Sequence, residues 1–192
     1  MKIIAIVNQK GGVGKTTTAI NVAGTLSAIN YKVLLIDLDP QGNSSSGVGF
    51  DYNNREFSIY NVLNNNNDIN DCVQKTKIPN LDIILATTDL AVSEIELANI
   101  DNREYILKNS LKSIKNDYDY IFIDCPPSLG MLTVNALCAS NGIIVPLQCE
   151  FFALEGLTHL LDTIDRIKDN YNSNLKIDGI VLTMYDKRNK LT

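Results

Sequence analysis

The stretch Lys10-Gly-Gly-Val-Gly-Lys-Thr-Thr17 decides the fold of this chain. It follows an apolar run, Ile3-Ile-Ala-Ile-Val7, that predicts a buried strand, and it leads into a helical pattern that begins near Thr16. A strand, a glycine loop and a helix N-terminus form the context of a phosphate-binding loop, because glycine lets backbone N–H groups approach an anion closely. Lys15 adds a positive charge, and Thr16 can offer its hydroxyl to Mg²⁺.

Strands and helices alternate along the rest of the chain, which predicts an α/β fold with a mostly parallel, twisted sheet and helices on both faces. The length of 192 residues suits a single domain over residues 1–192. Strands are predicted near Ile3–Val7, Lys32–Asp37, Leu81–Leu85, Tyr120–Asp124, Gly142–Pro146 and Lys176–Thr183. Helices are predicted near Thr16–Ile29, Ser58–Leu63, Leu90–Ala98, Arg103–Asn116, Met131–Ser140 and Leu154–Asn170. The last helix carries a predicted core stripe of Leu154, Leu157, Leu161, Ile164 and Ile167.

Composition limits the possible functions. Hydrophobic content of 45% and charged content of 20% are typical of a globular protein, and the net charge of −5 gives no global attraction to nucleic acid or to an anionic membrane. The cysteines lack C-x-x-C spacing and His159 is the one histidine, which argues against a zinc site and favours free thiols in a reducing cytoplasm. No signal peptide is expected, and no apolar run is long enough to span a membrane.

Carboxylates follow two of the predicted strands. Asp37 and Asp39 end the second strand, and in parallel sheets ligands sit at the carboxyl ends of strands, so both are expected beside the phosphate loop. Their spacing places them on one face of an extended chain. The alternative is that both cap the loop by Asx-type hydrogen bonds. Asp124 ends the strand Tyr120–Asp124, which matches a Walker B element whose carboxylate holds Mg²⁺, partly through water.

The glycine loop departs from the strict G-x-x-x-x-G-K-[ST] pattern, since Gln9 replaces the first glycine and Lys10 precedes the others. The loop thereby resembles the deviant Walker A motif of the ParA/MinD family of ATPases. The resemblance implies that Lys10 reaches across a dimer to the partner's ATP, and that Gly11 and Gly12 let two chains approach face to face. The alternative reading of Lys10 is a solvated loop charge.

Further motifs carry the same resemblance, in the family's order. Asp37–Asn43 resembles switch I, in which Asp39 positions or activates the attacking water and Asp37 lies near the Mg²⁺ shell. Pro126, Pro127 and Gly130 resemble switch II. The runs Val145–Leu157 and Gly179–Asp186 resemble the chromosomal ParA (Soj) branch.

The resemblance implies Mg-ATP as cofactor and assigns the site residues. Catalytic roles go to Lys10, Lys15 and Asp39, and metal contact to Thr16, Asp37 and Asp124. The nucleotide-binding residues are Lys10, Gly11, Gly12, Val13, Gly14, Lys15, Thr16 and Thr17.

The implied function is an ATP-dependent, dimerising ATPase that partitions chromosomes or plasmids. Its expected partners are a second copy, a ParB-type centromere-binding protein and non-specific DNA, with no membrane, and its expected location is cytoplasmic and nucleoid-associated. Arg188, in the basic run Lys187–Lys190, is the candidate for a DNA phosphate contact, with a solvated charge as the alternative. Because the family's chains continue beyond the sixth predicted strand, this chain is expected to lack their C-terminal strands and helices.

Other functions stay open. A MinD-like membrane-positioning ATPase would need a C-terminal amphipathic helix. An inactive truncated remnant would keep the fold without turnover, and a biosynthetic amidoligase of the same superfamily would need a substrate domain. Cys125 invites comparison with iron–sulfur ATPases of the superfamily, but no second matching cysteine is present, which favours a buried thiol.

Overall fold

The computed structural model describes residues 1–149 and 153–186, and within these ranges seven strands form one sheet. The strands are β1 (Lys2–Ile6), β2 (Val33–Asp37), β3 (Val73–Lys75), β4 (Leu81–Ile84), β5 (Tyr120–Asp124), β6 (Gly142–Gln148) and β7 (Lys176–Thr183). The helices are α1 (Lys15–Ala28), α2 (Asn43–Gly47), α3 (Ile59–Leu63), α4 (Leu90–Glu96), α5 (Ile106–Leu111), α6 (Met131–Ala139) and α7 (Ala153–Asn170).

The strand order is β3-β4-β2-β5-β1-β6-β7. Every neighbouring pair is parallel except β3 with β4, which is antiparallel. In the register between β2 and β5, Asp37 stands opposite Asp124, and β1 contributes Ile6 at the same level. The carboxyl ends of three neighbouring strands therefore meet at one point, directly before the loops that follow them.

Each face of the sheet carries its own hydrophobic core. Alternate residues of one strand point to opposite faces, so Ile4 and Ile6 join the core beneath α1 whereas Ala5 and Val7 join the other. The first core also contains Leu35 and Phe122. The larger second core is packed by α3, α5, α6 and α7. Burial on both faces explains why the central strands are almost continuously apolar.

The predicted mostly parallel sheet is confirmed, and the differences concern short elements. The antiparallel strand β3 and the helix α2 were not predicted. The predicted helix over 103–116 is shorter: a 3₁₀ turn at Arg103–Tyr105 precedes α5, which ends at Leu111. A 3₁₀ turn at Leu97–Asn99 likewise replaces the end of the helix predicted over 90–98.

The stripe predicted on α7 is partly wrong. Ile164 and Ile167 are buried as predicted, and Leu157 packs against the core while half-buried. The fully buried residue of the middle turn is Leu160, however, and Leu161 is half-buried. The side chain of Leu154 lies outside the described residues.

Strand β7 differs from the rest of the sheet because it lies at an edge. Among the described residues it pairs with β6 alone, and both of its faces are largely exposed. Its exposed apolar side chains are Ile177, Ile180, Val181 and Leu182. Its last residue, Thr183, donates a hydrogen bond of 2.8 Å to the carbonyl of Val13. The edge strand therefore also supports the glycine loop.

Candidate nucleotide-binding site

The glycine loop crosses from β1 to α1 in a conformation that side chains disfavour. Gly12 and Gly14 have φ of 75° and 86°, in the left-handed region that glycine adopts at least cost. Gly14 caps the N-terminus of α1, and its carbonyl accepts the N–H of Thr18 at 2.9 Å. The N–H groups of the first turn have no partner within the helix, so they can bind an anion in the loop.

Side chains outside the glycines fix the loop to the sheet. Asn8 donates to the carbonyl of Pro146 at 2.7 Å and accepts the N–H of Lys10 at 3.0 Å. Gln9 donates to the carbonyl of Gly156 at 3.1 Å. These contacts tie the start of the loop to β6 and α7, which positions Lys10 on the surface beside Gly11.

Lys15 is 7% exposed although it is charged. Its Nζ donates to the carbonyl of Lys10 at 3.0 Å, so the lysine folds back over the loop. Burial lowers the pKa of Lys15, and the negative charges of Asp124 and Asp39 oppose that change. Burial removes the water that would otherwise surround the ammonium group. The phosphate oxygens of a bound nucleotide would accept its hydrogen bonds in place of that water.

Asp124 is fully buried at the end of β5. Its Oδ2 accepts the hydroxyl of Ser44 at 2.7 Å, while its Oδ1 has no hydrogen-bond partner among the described residues. Burial raises the pKa of Asp124 to about 6, and the hydrogen bond from Ser44 and the nearby Thr16 hydroxyl oppose this rise. A buried carboxylate oxygen without a partner is costly unless a ligand satisfies it.

That oxygen fits a magnesium site made of Thr16 and Asp124. The described residues contain no group of three or more Asp, Glu, His or Cys that could hold a metal by themselves. Mg²⁺ does not require such a cage, because it usually keeps several waters and binds through one or two protein oxygens together with substrate phosphates. Thr16 lies near Asp124, and the role of this pair as Mg²⁺ ligands stays a prediction.

The carboxylate of Asp37 is occupied by hydrogen bonds from neighbouring residues. Its Oδ2 accepts both the N–H and the hydroxyl of Ser45 at 2.7 Å, and its Oδ1 accepts the N–H of Asp39 at 3.3 Å. Burial raises the pKa of Asp37 to about 7; the Ser45 hydroxyl opposes this rise and Asp124 adds to it. These contacts are those of the capping alternative, so a metal role for Asp37 stays a prediction.

Asp39 lies beside the loop and is 7% exposed. It turns the chain, since its Oδ1 accepts the N–H of Gln41 and its carbonyl accepts the N–H of Gly42, both at 2.9 Å. It also lines a cavity of about 430 Å³ between the glycine loop and the second strand's loop. The lining residues are Gly11, Gly12, Gly14, Lys15, Thr16, Thr17, Asp39, Gln41, Asn43, Pro127 and Met184.

The DNA-contact prediction stays untested, because Arg188 and the run Lys187–Lys190 lie outside the described residues. Cys125 is fully buried, and burial raises its pKa well above the usual thiol range, as the buried-thiol reading predicts. Every cysteine is free.

Sequence reasoning missed the residues that hold the second strand's loop. Ser44 and Ser45 bond the two buried carboxylates, and Arg55 bonds the loop's backbone. The run of three serines, Ser44–Ser46, was the available signal for the first pair. For Arg55 no local pattern existed.

The fold and the site define a P-loop nucleotide-binding protein. The family model described as "AAA domain" matches residues 1–177. The chain is 50% identical over 190 residues to the sporulation initiation inhibitor protein Soj of Bacillus subtilis, covering 99% of this chain and 75% of Soj. It is 52% identical over 194 residues to the chromosome partitioning protein ParA of Caulobacter vibrioides, covering 100% of this chain and 73% of that protein.

Among solved structures, cobyrinic acid a,c-diamide synthase from Mycobacterium smegmatis, bound to ADP and magnesium, superposes with a TM-score of 0.94 at 39% identity. The match covers 98% of this chain and 77% of that one. This chain belongs to the ParA/Soj family of partitioning ATPases. No helix in the described part of the chain is long and apolar enough to cross a membrane.

Proposed function

We propose that this protein is a dimerising ATPase that hydrolyses ATP to ADP and phosphate in order to segregate chromosomes or plasmids. The observation that carries the proposal is the buried Lys15, which sits between the glycine loop and the carboxylates of Asp39 and Asp124 at one end of the sheet. This arrangement suits phosphoryl transfer, in which a protein supplies position and charge more than covalent chemistry.

Different residues of the chain have different roles in ATP binding and hydrolysis. N–H groups of Gly12 to Thr17 bind the phosphates, and Lys15 balances their charge. Thr16 and Asp124 would hold Mg²⁺, which would neutralise charge on the phosphate oxygens. Asp39 lines the same cavity and orients or activates the attacking water.

Lys10 completes the site from a second copy. It is exposed at the rim of the loop, with Gly11 and Gly12 beside it. Lys10 of the second copy would stabilise the negative charge that develops on the phosphate oxygens during phosphoryl transfer. Preorganised hydrogen-bond donors stabilise transition states in this way. Dimerisation is thereby coupled to ATP, which suits a protein that alternates between two states.

The biological partners follow from the family. The proposed cycle uses a ParB-type protein to stimulate hydrolysis and release the dimer from non-specific DNA, in the cytoplasm at the nucleoid. A MinD-like role is the alternative, and ATP-dependent binding to anionic vesicles would favour it. The synthase name of one structural neighbour supports the amidoligase alternative. The higher identity to Soj and ParA favours partition.

Equilibrium binding of Mg-ATP to this chain tests the proposal first. Lys15→Ala removes the buried charge and should weaken binding by more than about hundredfold, since the loss of a charge-assisted contact costs about 3 kcal/mol. Lys112→Ala, which changes an exposed lysine at the end of α5, is the matched control and should bind as the parent does. If the parent does not bind Mg-ATP, or if Lys15→Ala binds equally well, the proposed function is wrong.

A further inference from the structure

Arg55 is a buried arginine that the roles described above do not use. It follows the loop after β2 and is 8% exposed, which is unusual for a guanidinium group. No carboxylate among the described residues forms an ion pair with it. Its partners are neutral oxygens and the ring of Tyr52, whose centroid lies 5.2 Å from the guanidinium carbon. Because burying a charged group without an ion pair is unfavourable, we expect Arg55 to have a structural or functional role.

The guanidinium group ties one segment of the chain to the end of β4. We call residues 37–50 the switch segment; it contains the switch I motif and α2. Nη2 of Arg55 donates to the carbonyl of Gly42 at 3.2 Å, to the hydroxyl of Ser46 at 2.8 Å and to the carbonyl of Phe50 at 3.3 Å. Nη1 donates to the carbonyl of Ala86 at 2.8 Å. One side chain thus holds the switch segment at three places and anchors it to the residues after β4.

The geometry requires an arginine and, opposite it, a glycine. The donors of a guanidinium group lie in a planar fork, whereas a lysine offers one compact ammonium group. Gly42 has φ of 64°, and a Cβ built there would lie 2.0 Å from Nη1 of Arg55. Gly42 therefore provides both the turn and the space for the fork.

The segment that Arg55 holds supplies the hydroxyls that bond the buried carboxylates. Ser44, on α2, donates to Asp124 at 2.7 Å. Ser45 donates to Asp37 at 2.7 Å and accepts the N–H of Ala86 at 3.0 Å. Ala86 is therefore bonded through its N–H to Ser45 and through its carbonyl to Arg55. A shift of α2 would move both hydroxyls away from the carboxylates.

We propose that Arg55 is a positioning residue for ATP hydrolysis. It holds α2 in place so that Ser44 orients the carboxylate of Asp124 and so that Asp39, at the other end of the same turn, keeps its place in the cavity. This inference rests on the ATPase function proposed above. Arg55 lines no part of the nucleotide cavity, so it acts on turnover through the switch segment and leaves ATP affinity unchanged.

Hydrogen exchange of the full chain without nucleotide tests the tether itself. Arg55→Lys keeps the charge and loses the fork. It should speed exchange of the Ser46, Val48 and Phe50 amides by about tenfold, since each hydrogen bond stabilises by about 1 kcal/mol. The matched control is Arg103→Lys, because Arg103 also donates to a backbone carbonyl, that of Ala98, far from the switch segment. Unchanged exchange in Arg55→Lys would overturn the proposal.

Kinetics then separate positioning from general destabilisation. Arg55→Lys should lower kcat by about tenfold, while the Kd for Mg-ATP stays within about twofold of the parent value. Ser46→Ala removes one partner of the fork and should give a smaller fall in kcat, so the proposal remains testable if Arg55→Lys folds poorly. A parallel loss of ATP binding and turnover would show a merely structural role and overturn the proposal.

A double variant tests the route through Ser44. Ser44→Ala should lower kcat by itself, and adding Arg55→Lys should lower it by less than the product of the two separate effects. If the fall in kcat of the double variant equals the product of the two separate falls, Arg55 does not act through Ser44. If the parent hydrolyses ATP and Arg55→Lys is unimpaired, this inference alone fails. If the parent and the Arg103→Lys control both lack activity, the proposed function fails and the inference fails with it.

Discussion

The glycine loop, residues 8–17, and the switch segment, residues 37–50, line the same cavity but are built in opposite ways. The loop is shaped by its own backbone: Gly12 and Gly14 take positive φ, and its cavity-lining glycines are open or half-open to solvent. The switch segment is shaped mainly by side chains, of which Asp37 is its own and Asp124 and Arg55 come from outside it. Its short helix α2 is held by two buried carboxylates and one buried arginine.

This difference indicates a division of labour. A loop that offers mainly backbone N–H groups binds phosphate in whatever state the rest of the site adopts. A segment that depends on a few side-chain hydrogen bonds can change state when one of them changes, since each contributes about 1 kcal/mol. Substitutions in the loop should therefore affect binding or dimerisation, and substitutions in the switch segment should affect turnover and stability.

The largest effect is expected at Asp39. Asp39→Ala should leave the Kd for Mg-ATP nearly unchanged and lower kcat by about hundredfold or more, because a positioned general base contributes at least that much. Steady-state phosphate release, with binding measured separately, checks this.

Asp39→Asn is the informative control. An asparagine oxygen can still accept the N–H of Gln41, as Asp39 does at 2.9 Å, but it cannot act as a base. If Asp39→Asn hydrolyses ATP at the parent rate, the role of Asp39 is to cap the turn, and the assignment to water is wrong.

The next largest effect concerns stability at Gly42. Gly42→Ala should destabilise the fold by about 2–3 kcal/mol, because alanine is strained at positive φ and its Cβ displaces the Arg55 guanidinium. Chemical denaturation measures the free energy of unfolding.

Gly49→Ala separates the two causes. Gly49 has φ of 99°, but a Cβ there would meet nothing within 4 Å. Gly49→Ala should therefore lower the free energy of unfolding only through backbone strain, by about 1 kcal/mol. Equal losses at the two glycines would mean that the contact with Arg55 contributes nothing.

Whether a feature could be predicted from the sequence depends on whether the contacts that form it are local. The glycine loop, the parallel sheet and the carboxylates at strand ends were predictable, because each is encoded within a dozen neighbouring residues. Arg55 bonds Ala86 across a separation of 31 residues, and Ser44 bonds Asp124 across 80. No periodicity encodes such pairs. Strand β3 was missed for another reason: its sequence, Val73-Gln-Lys75, is too short and polar to show a strand pattern.

An effect of similar size is expected in the pH dependence of stability without Mg²⁺. The folded pKa of Asp37 is about 7, against an ordinary value of 3.8, so the folded state holds the proton more tightly. The stabilisation from this proton is complete below pH 3.8 and is lost as the pH rises toward 7. Asparagine does not ionise, so Asp37→Asn lacks this loss of stability. The free energy of unfolding of the variant, relative to that of the parent, should therefore rise by a few kcal/mol from pH 5 to pH 8.

Denaturation midpoints of the parent and of Asp37→Asn, measured side by side at both pH values, check this prediction. Parallel changes in the two proteins would contradict it. The same variant bears on the metal assignment. If Asp37 only bonds Ser45 and Asp39, the variant should keep the Mg²⁺ dependence of ATP binding, whereas a residue near the metal shell would shift it.

The smallest effect on stability is expected at Gly11, in the glycine loop. Gly11 does not have positive φ, and a Cβ there would meet nothing within 4 Å, so Gly11→Ala should change the free energy of unfolding by less than about 0.5 kcal/mol. Gly12→Ala, with φ of 75°, should cost about 1 kcal/mol. If two copies meet face to face at the glycine loop as proposed, a methyl group at Gly11 would obstruct the second copy. Sedimentation of Gly11→Ala with Mg-ATP should therefore show weakened dimerisation beside a normal denaturation curve. If the variant dimerises as the parent does, close approach of two chains does not occur at Gly11, and the role of Lys10 across the dimer loses its support.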